Sequence, residues 1–320
     1  MVGEILLHNS RGNILLKKRV VEIVNVLVTG SNGFIGHHTV DFFKNKGMRV
    51  IGLGRNDESK AKTDAYYCCD MSSPEVEKVF QNEAIDAVIH LAADMRKEPY
   101  TTEVIMHNCV GTERILKLCT KHNVHVFTEL SSLPVIGAPI EHPITEKHPI
   151  RPYTVYHCTK VMEELLAEYA TDTYGLRTSS FRISAPIGIG MNPKTIFSVF
   201  TENAVKNKPI VLRGQGGRKQ TYIHVDDISQ ALYLAIISDC AQGVYNLASY
   251  NLISNKELAE KIVRVTDSQS RIVHSGEPDR EENRVWDVCI DKIKEELGYE
   301  PTISLEYAIE ELADNFRNYS

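Results

Sequence analysis

Short apolar stretches alternate with amphipathic segments along most of this chain. Residues 23–29, IVNVLVT, form a β-branched run that ends at Gly30, and residues 34–46 have a helical pattern that ends at Gly47. The same patterns predict strands and helices further along: strands at 49–53, 87–91, 124–130 and 178–183, and helices at 104–122 and 156–174. Strands that alternate with long helices imply right-handed βαβ crossovers. The pattern therefore predicts an α/β fold, a doubly wound parallel sheet of the Rossmann type.

The alternation changes after Arg182, where prolines and glycines predict a loop. A helix at 195–206 and a glycine-rich segment at 214–217 follow, and residues 222–248 then have the pattern of strand, helix and strand. We predict a dinucleotide-binding domain and a smaller C-terminal substrate-binding lobe. The domain takes 23–184 and 222–248, the lobe takes 185–221 and 249–320, and residues 1–22 remain an unassigned N-terminal extension.

Composition and charge limit the kinds of ligand and partner that are expected. The 320 residues carry a formal charge of −6, with 42% hydrophobic residues, so no basic surface for a nucleic acid is expected and a small-molecule substrate is favoured. No apolar stretch approaches the roughly 18 residues of a membrane span. The seven cysteines contain no C-x-x-C pair, which disfavours a disulfide framework or a zinc site and fits a reducing cytoplasm. No metal site is predicted.

A glycine-rich loop follows the first strand. The segment TGSNGFIG has glycines at 30, 33 and 36, between a predicted strand and a predicted helix. Gly30 allows a tight turn, Gly33 lets a pyrophosphate approach the backbone, and Gly36 lets the helix pack on the strand. This arrangement predicts NAD(H) or NADP(H) binding. The loop residues assigned to the cofactor are Gly30, Asn32, Gly33, Phe34, Ile35 and Gly36.

The end of the second strand bears on the choice of cofactor. An acidic residue at this place binds the ribose 2′-hydroxyl of NAD, but here Gly54 occupies it and Arg55 follows. A guanidinium favours a 2′-phosphate, so NADP is somewhat preferred over NAD. The alternatives are that Arg55 is a solvated surface residue, or that Asp57 or Glu58 binds the ribose.

Tyr156 and Lys160 are four residues apart, on one face of a predicted helix. This helix follows the strand that ends at Ser131 and Ser132, so a hydroxyl, a phenol and an ammonium meet at one sheet edge. Reduction of a ketone creates an alkoxide that needs a proton. Tyrosine has an ordinary pKa near 10, and a nearby ammonium favours its phenolate. The set is suited to hydride chemistry at a carbonyl.

Together these features resemble the extended short-chain dehydrogenase/reductase family, which includes nucleotide-sugar epimerases, dehydratases and reductases. The resemblance covers residues 23–320. Gly137 and the segment 222–227 are further positions that match the family pattern. It implies that Ser132 is the catalytic partner of Tyr156 and Lys160, and that Tyr156 and Lys160 also contact the cofactor, Lys160 at the nicotinamide ribose. It further implies cofactor contacts from Asp70, Met71, Leu91, Ala92, Ala93 and Asn108. The resemblance also implies a homodimer formed through the helices at 104–122 and 156–174.

Departures from the family pattern reduce the number of reactions that the chain is expected to catalyse. Dehydratases of the family carry an Asp-Glu pair after the catalytic hydroxyl, where this chain has Leu133 and Pro134, so dehydration is disfavoured. Two diphosphate-binding positions also differ, at Ala185 and Gln220. We expect Arg218 to supply the missing charge, with Arg280 and Arg284 as further candidates. The substrate-binding residues are thus predicted as Ser132, Arg218, Gln220 and Arg284.

Three functions are compatible with this sequence. The first is an NAD(P)-dependent epimerase that acts on a nucleotide sugar through a transient keto sugar. The second is an NADPH-dependent reductase of a keto sugar or another small carbonyl compound. The third is a non-catalytic NADP-binding protein, which the intact Ser132, Tyr156 and Lys160 disfavour.

Overall fold

A computed structural model describes the backbone of residues 2–8 and 14–21 and the complete residues 25–318. Strands β1 (Val2–His8) and β2 (Ile14–Val21) pair in an antiparallel hairpin. This hairpin lies in the N-terminal extension, to which the sequence patterns assigned no structure.

The remaining strands and helices alternate through the rest of the chain. The strands are β3 (Asn25–Thr29), β4 (Arg49–Gly54), β5 (Ala65–Cys68), β6 (Ala87–His90), β7 (Val126–Ser132), β8 (Arg177–Ile183), β9 (Ala185–Ile187), β10 (Ile210–Leu212), β11 (Lys219–Gln220), β12 (Tyr222–His224), β13 (Gly243–Leu247), β14 (Ile253–Ser254), β15 (Ile272–His274) and β16 (Val285–Trp286). The helices are α1 (Phe34–Asn45), α2 (Glu77–Asn82), α3 (Thr101–Ile105), α4 (Gly111–Lys121), α5 (Val155–Tyr174), α6 (Ile196–Val205), α7 (Val225–Ile237), α8 (Asn255–Val265), α9 (Asp291–Leu297) and α10 (Leu305–Asn318). None of the helices within residues 25–318 is long and apolar enough to cross a membrane.

Seven strands form one parallel sheet in the order β13-β8-β7-β6-β3-β4-β5. Both faces are buried, because successive residues of one strand enter different cores: Val26 and Val28 lie in the core with α1, α7 and α9, and Leu27 in the core with α2, α4 and α5. The predicted doubly wound α/β fold is confirmed. The order of the strands along the sheet reverses between β3 and β6, and such folds bind ligands at this point.

A smaller lobe has its own apolar core, built mainly from α6, α8 and α10 with β10. Residues 290–299 depart from the predicted division, because Ile290, Ile293, Leu297 and Tyr299 enter the core with α1 and α7. This part of the C-terminal segment therefore stabilises the large sheet. The boundaries between the domain and the lobe otherwise stay a prediction.

Several short strands have no counterpart in the sequence patterns. Edge strand β5 has only four residues and its first three are half-buried, so it lacks a continuous apolar run. Strands β11, β14 and β16 form a three-stranded sheet of two-residue strands. Segments this short are fixed by tertiary contacts, because local periodicity needs several residues to be visible.

Candidate active site

A cavity of about 270 Å³ opens where β3 and β6 end, at the change of direction in the sheet. Nine of the residues predicted to bind the cofactor line it: Gly30, Asn32, Gly33, Arg55, Asp70, Met71, Leu91, Ala92 and Ala93. Residues that the sequence patterns did not identify complete the lining, among them Asp94 and His107. A larger open depression of about 680 Å³ lies between α8 and α10, away from these residues. The smaller cavity is therefore the candidate cofactor site.

Two glycines of the loop are required by close backbone approaches. Gly30 has a φ of +68°, and a Cβ there would lie 2.8 Å from the backbone of Ala92. A Cβ on Gly36 would lie 2.1 Å from the carbonyl oxygen of Gly30. Any side chain at either position would push β3, β6 and α1 apart. The loop thus brings the N-terminus of α1 to the cavity, a suitable place for a pyrophosphate.

The other loop residues have different surroundings. Phe34 and Ile35 begin α1, where backbone N–H groups lack partners within the helix, and their half-buried side chains pack into the two cores on either side. The Asn32 side chain binds the loop after β4, donating to the carbonyl oxygen of Glu58 at 2.9 Å and accepting from the amide of Lys60 at 2.7 Å. Asn32 therefore fixes the shape of the cavity wall.

A buried hydrogen-bond chain supports the floor of the cavity. The Thr29 hydroxyl accepts the amides of Leu91 and Ala92, both at 3.1 Å, so its own proton points to Nδ1 of His90, 3.0 Å away. Nε2 of His90 then donates to the Thr112 hydroxyl at 2.9 Å. Burial lowers the pKa of His90 to about 3, so the ring is neutral. This chain locks β3, β6 and α4 together under Leu91–Ala93.

One rim of the cavity carries charged groups. His107 lies between two carboxylates, 3.2 Å from Asp70 and 2.9 Å from Asp94, and its ring is 3.4 Å from the exposed Arg55 guanidinium. The Arg96 guanidinium holds the pKa of Asp94 well below its ordinary value. Burial acts to raise the pKa of Asp70, but hydrogen bonds from Ser72 outweigh it and the pKa is lowered. Both acids are thus anionic at neutral pH.

The end of β4 has no room for a larger side chain. A Cβ on Gly54 would lie 2.8 Å from the Tyr66 hydroxyl, which donates to the carbonyl oxygen of Asn56 at 2.9 Å. An acidic side chain at this position would displace Tyr66. Arg55 is thus the charged residue nearest to the end of β4 in the cavity lining.

Tyr156 lies in the first turn of α5. Thr154 caps this helix by accepting the amide of His157 at 3.2 Å, which fixes the turn that carries the phenol. The Lys160 ammonium lies 6.0 Å from the centre of the Tyr156 ring. The four-residue spacing therefore brings these two groups together, as the helical pattern predicts.

The surroundings of this pair differ from the sequence-based expectation. Burial raises the pKa of Tyr156, and this effect exceeds the lowering by Lys160. Lys160 is itself buried and donates to the Glu163 carboxylate at 2.8 Å. The protein alone therefore keeps Tyr156 a neutral phenol, because burial outweighs the effect of the ammonium and the charge of Glu163 raises the pKa further.

Ser132 ends β7, next to α5 in the fold. It is half-buried, and the chain continues from it into a 3₁₀ turn over Leu133–Ile136. Leu133 is only 2% exposed and packs with Val135, Ile136 and Ile144. The two positions after Ser132 therefore carry apolar groups that hold the turn and cannot transfer a proton.

Asn108 does not line the cavity. It lies in a π-helical turn, Met106–Val110, and its amide exchanges two hydrogen bonds with the backbone of Asp94, at 2.7 and 3.0 Å. A third bond, 2.9 Å long, joins it to the Thr159 hydroxyl beside Lys160. Asn108 thus connects the cavity rim to helix α5, and its side-chain amide is fully used by the protein.

Three of the four predicted substrate residues, Arg218, Gln220 and Arg284, lie together on the smaller lobe, whereas Ser132 ends β7 of the large sheet. Arg218 and Arg284 both bind the carboxylate of Glu281, Arg218 at 2.8 Å. Gln220 accepts a long bond from Arg218 at 3.4 Å and donates to the Tyr222 hydroxyl. The two guanidinium groups converge as a diphosphate would require, but an acidic side chain stands between them. The sequence patterns did not identify Glu281.

Comparison with known proteins shows which family and which structures this chain is similar to. The family described as the NAD dependent epimerase/dehydratase family matches residues 26–248. The UDP-glucose 4-epimerase of Halalkalibacterium halodurans is 30% identical over 271 residues, which are 75% of this chain and 80% of that protein. The dTDP-glucose 4,6-dehydratase of Haemophilus influenzae is 25% identical over 326 residues, with 90% and 96% of the two chains covered. The structure of UDP-glucose 4-epimerase from Thermotoga maritima with UDP-glucose has a TM-score of 0.84 at 25% identity, with 92% and 99% covered.

Proposed function

Because the chain belongs to the NAD-dependent epimerase/dehydratase family, part of the extended short-chain dehydrogenases/reductases, we propose that it is an NAD(P)-dependent epimerase of a nucleotide sugar. The observation that carries this proposal is the placement of Tyr156 and Lys160 on α5 beside the end of β7, where Ser132 is followed by apolar residues. Such a site has the groups for reversible hydride chemistry at a carbinol. It offers no second acid–base pair at positions 133 and 134.

In the proposed reaction each protein group has one task. A nicotinamide cofactor held by the cavity residues, among them Gly30, Gly33 and Ala92, would supply a reversible hydride acceptor for the carbinol carbon. Tyr156 takes the hydroxyl proton as that carbon is oxidised, and Ser132 donates a hydrogen bond to the reacting oxygen. Lys160 stabilises the phenolate of Tyr156. The keto sugar would turn over in the site, and Tyr156 would then return the proton to the oxygen of the inverted carbon.

Dehydration is the reaction of some relatives, so its exclusion is part of the proposal. Elimination of water needs an acid and a base near the sugar, in addition to the hydride-transfer groups. Leu133 is buried in an apolar cluster and Pro134 has no ionisable group. The chain is therefore better suited to epimerisation than to the dehydration that the relative from Haemophilus influenzae is named for.

A reductase is the second candidate, and one observation favours it. Gly54 and Arg55 leave the end of β4 without a carboxylate, as suits NADP(H). A reductase would use the same three catalytic residues but consume NADPH with each turnover. The cofactor preference alone does not separate the two reactions, because an epimerase recycles whichever cofactor it holds.

A homodimer is proposed from the outer surface of the helices at 101–121 and 155–174. These helices pack against each other and leave large apolar side chains exposed, namely Ile105, Met106, Met162, Leu165 and Tyr169. A second copy of the same surface would cover them.

All seven cysteines are free, which fits the proposed location in the cytoplasm.

A panel of nucleotide sugars tests the proposed reaction. UDP-glucose, dTDP-glucose and UDP-glucuronic acid would each be incubated with the protein, with and without added NADPH, and the products identified by mass spectrometry and NMR. We expect an epimer of equal mass to form without net consumption of cofactor. Product formation that requires stoichiometric NADPH would favour the reductase. A 4-keto-6-deoxy product would contradict the exclusion of dehydration.

A further inference from the structure

A cluster of ionisable groups is buried between α5, β7 and β8, and it includes Lys160 of the proposed catalytic pair. It contains two cations, Lys160 and Arg182, and three carboxyl groups, Glu129, Glu163 and Glu164, all of them buried. Arg182 binds Glu164 through two nitrogens, at 2.7 and 3.0 Å, and Lys160 binds Glu163 at 2.8 Å. Glu129 is left without a cation of its own.

The hydrogen bonds of the two remaining carboxyl groups are incomplete. Glu129 accepts from the Ser180 hydroxyl at 2.6 Å through Oε1, while Oε2 has no partner among residues 25–318. Glu163 accepts from Lys160 through Oε2, and its Oε1 also lacks a donor from the described part of the chain. Burial raises the pKa of Glu163, and a hydrogen bond with Glu129 is among the interactions that act against this rise. Two ionised carboxylates in this position would repel each other and leave two buried oxygens unsatisfied.

We propose that Glu129 and Glu163 share one proton, and that this acid–carboxylate pair positions the Lys160 ammonium beside Tyr156. Glu163 accepts from the ammonium and is the carboxylate, whereas Glu129 accepts from the Ser180 hydroxyl and from no cation among residues 25–318, so it is the acid. The shared proton occupies both free oxygens and balances the charge of the cluster. The orientation of Glu163, and with it the place of Lys160, is then fixed from two sides.

The proton shared by Glu129 and Glu163 is the one in this region that titrates near neutral pH. Burial, followed by the charge of Glu163, raises the pKa of Glu129 to about 8. His90, which interacts with Lys160, is neutral, and burial raises the pKa of the Cys109 thiol near Glu163 to about 11. Arg182 and Glu164 remain an ion pair, and burial raises the pKa of Tyr156.

The shared proton is tested by thermal unfolding between pH 5 and 9, which needs no substrate. A carboxyl whose folded pKa is raised stabilises the fold fully below its unfolded pKa, and this contribution is lost as the pH rises to the folded pKa. We expect Glu129→Gln, which keeps a donor but cannot ionise, to gain in Tm relative to wild type as the pH rises from 5 to 8. Glu310→Gln, an exposed change on α10, is the control and should follow wild type. A Tm difference that stays constant over this range would overturn the shared proton.

The positioning role rests on the proposed function and is tested by turnover. Glu129→Leu removes the donor to Glu163, so we expect kcat to fall on the order of tenfold below that of Glu129→Gln. Wild type should also lose kcat above about pH 8, whereas Glu129→Gln should lack that alkaline decline. Equal kcat values for the two variants, or the same decline in wild type and Glu129→Gln, would overturn the positioning role. If wild type turns over no nucleotide sugar, the proposed function fails, while the unfolding experiment still decides whether the proton is shared.

Discussion

The hydroxyl of Tyr156 is the group through which the proposed reaction exchanges its proton with the substrate. We expect Tyr156→Phe to lower kcat by at least about 10²-fold, because positioned acid–base groups contribute roughly 10²–10⁴. Cofactor should still bind, since Tyr156 is not among the residues that line the cofactor cavity. Steady-state rates and calorimetric titration measure the two effects. Tyr307→Phe, an exposed change on α10, is the control, and near-normal turnover in Tyr156→Phe would rule out the assigned mechanism.

Arg55 is the residue on which the proposed cofactor preference depends. We expect wild type to bind NADP(H) at least as well as NAD(H), because a guanidinium can hold a 2′-phosphate through two hydrogen bonds. Each such bond is worth roughly 1.5–3 kcal/mol, so Arg55→Ala should weaken NADP binding on the order of tenfold or more. Calorimetry with both cofactors measures this.

Arg213→Ala provides the matched control, since Arg213 is an exposed arginine on the other lobe. A tenfold preference of wild type for NAD would contradict this account of Arg55. So would an unchanged affinity of the variant for NADP, and Asp70 and Asp94 would then be the groups to examine at the ribose.

The site residues that the sequence patterns identified most directly are those with a local signal. Glycines 30 and 36 and the Tyr156–Lys160 spacing follow from the geometry of one turn or one helix. Asp94, His107 and Glu281 were missed because their roles arise from partners far away in the chain, such as Asp70 beside His107 and Arg218 beside Glu281. The effects of burial and of Glu163 on the pKa of Tyr156 were missed for the same reason, since neither is visible in the spacing.

At the scale of elements, the segment between β15 and β16 controls the proposed diphosphate site. Glu281 in this segment binds Arg218 and Arg284, so a diphosphate must compete with its carboxylate. We expect Glu281→Gln to bind UDP several-fold more tightly, because the charge that opposes the ligand is removed while the side-chain shape is kept. Isothermal titration with UDP measures the change.

The same segment provides a control for this substitution. Glu277 binds the exposed Arg213, so Glu277→Gln removes one charge from the segment without touching the arginine pair. Its UDP affinity should equal that of wild type. Weaker UDP binding by Glu281→Gln would show that Glu281 holds the arginines ready for the ligand.

The long elements were predictable, whereas most of the very short strands were not. Strands such as β3 and helices such as α5 have enough residues for their hydrophobic period to appear in the sequence. The two-residue strands β11, β14 and β16 depend on each other for their hydrogen bonds. Residues 290–299 were assigned to the lobe because their helical pattern does not show which core they enter.

At the scale of the whole molecule, the exposed apolar surface of the helices at 101–121 and 155–174 predicts a dimer. Leu165 is 54% exposed and Ile105 is 47% exposed, although both are large aliphatic residues. We expect Leu165→Glu to give a monomer, because a charge buried in a symmetric interface meets its own copy or apolar partners. Light scattering after gel filtration measures the mass. Ile237→Glu, at an exposed residue that ends α7, is the control, and a monomeric wild type would contradict the dimer.

The central claim is that one site oxidises and re-reduces the same carbon, and an isotope label tests it most directly. The nucleotide sugar that turns over would be labelled with deuterium at the carbon that inverts, and the product analysed by NMR and mass spectrometry. We expect the epimer to retain the deuterium at that carbon, with no net change in NAD(P)H, since the cofactor returns the hydride that it accepted. An epimer without the label, or product formed in proportion to NADPH consumed, would contradict epimerisation by this site.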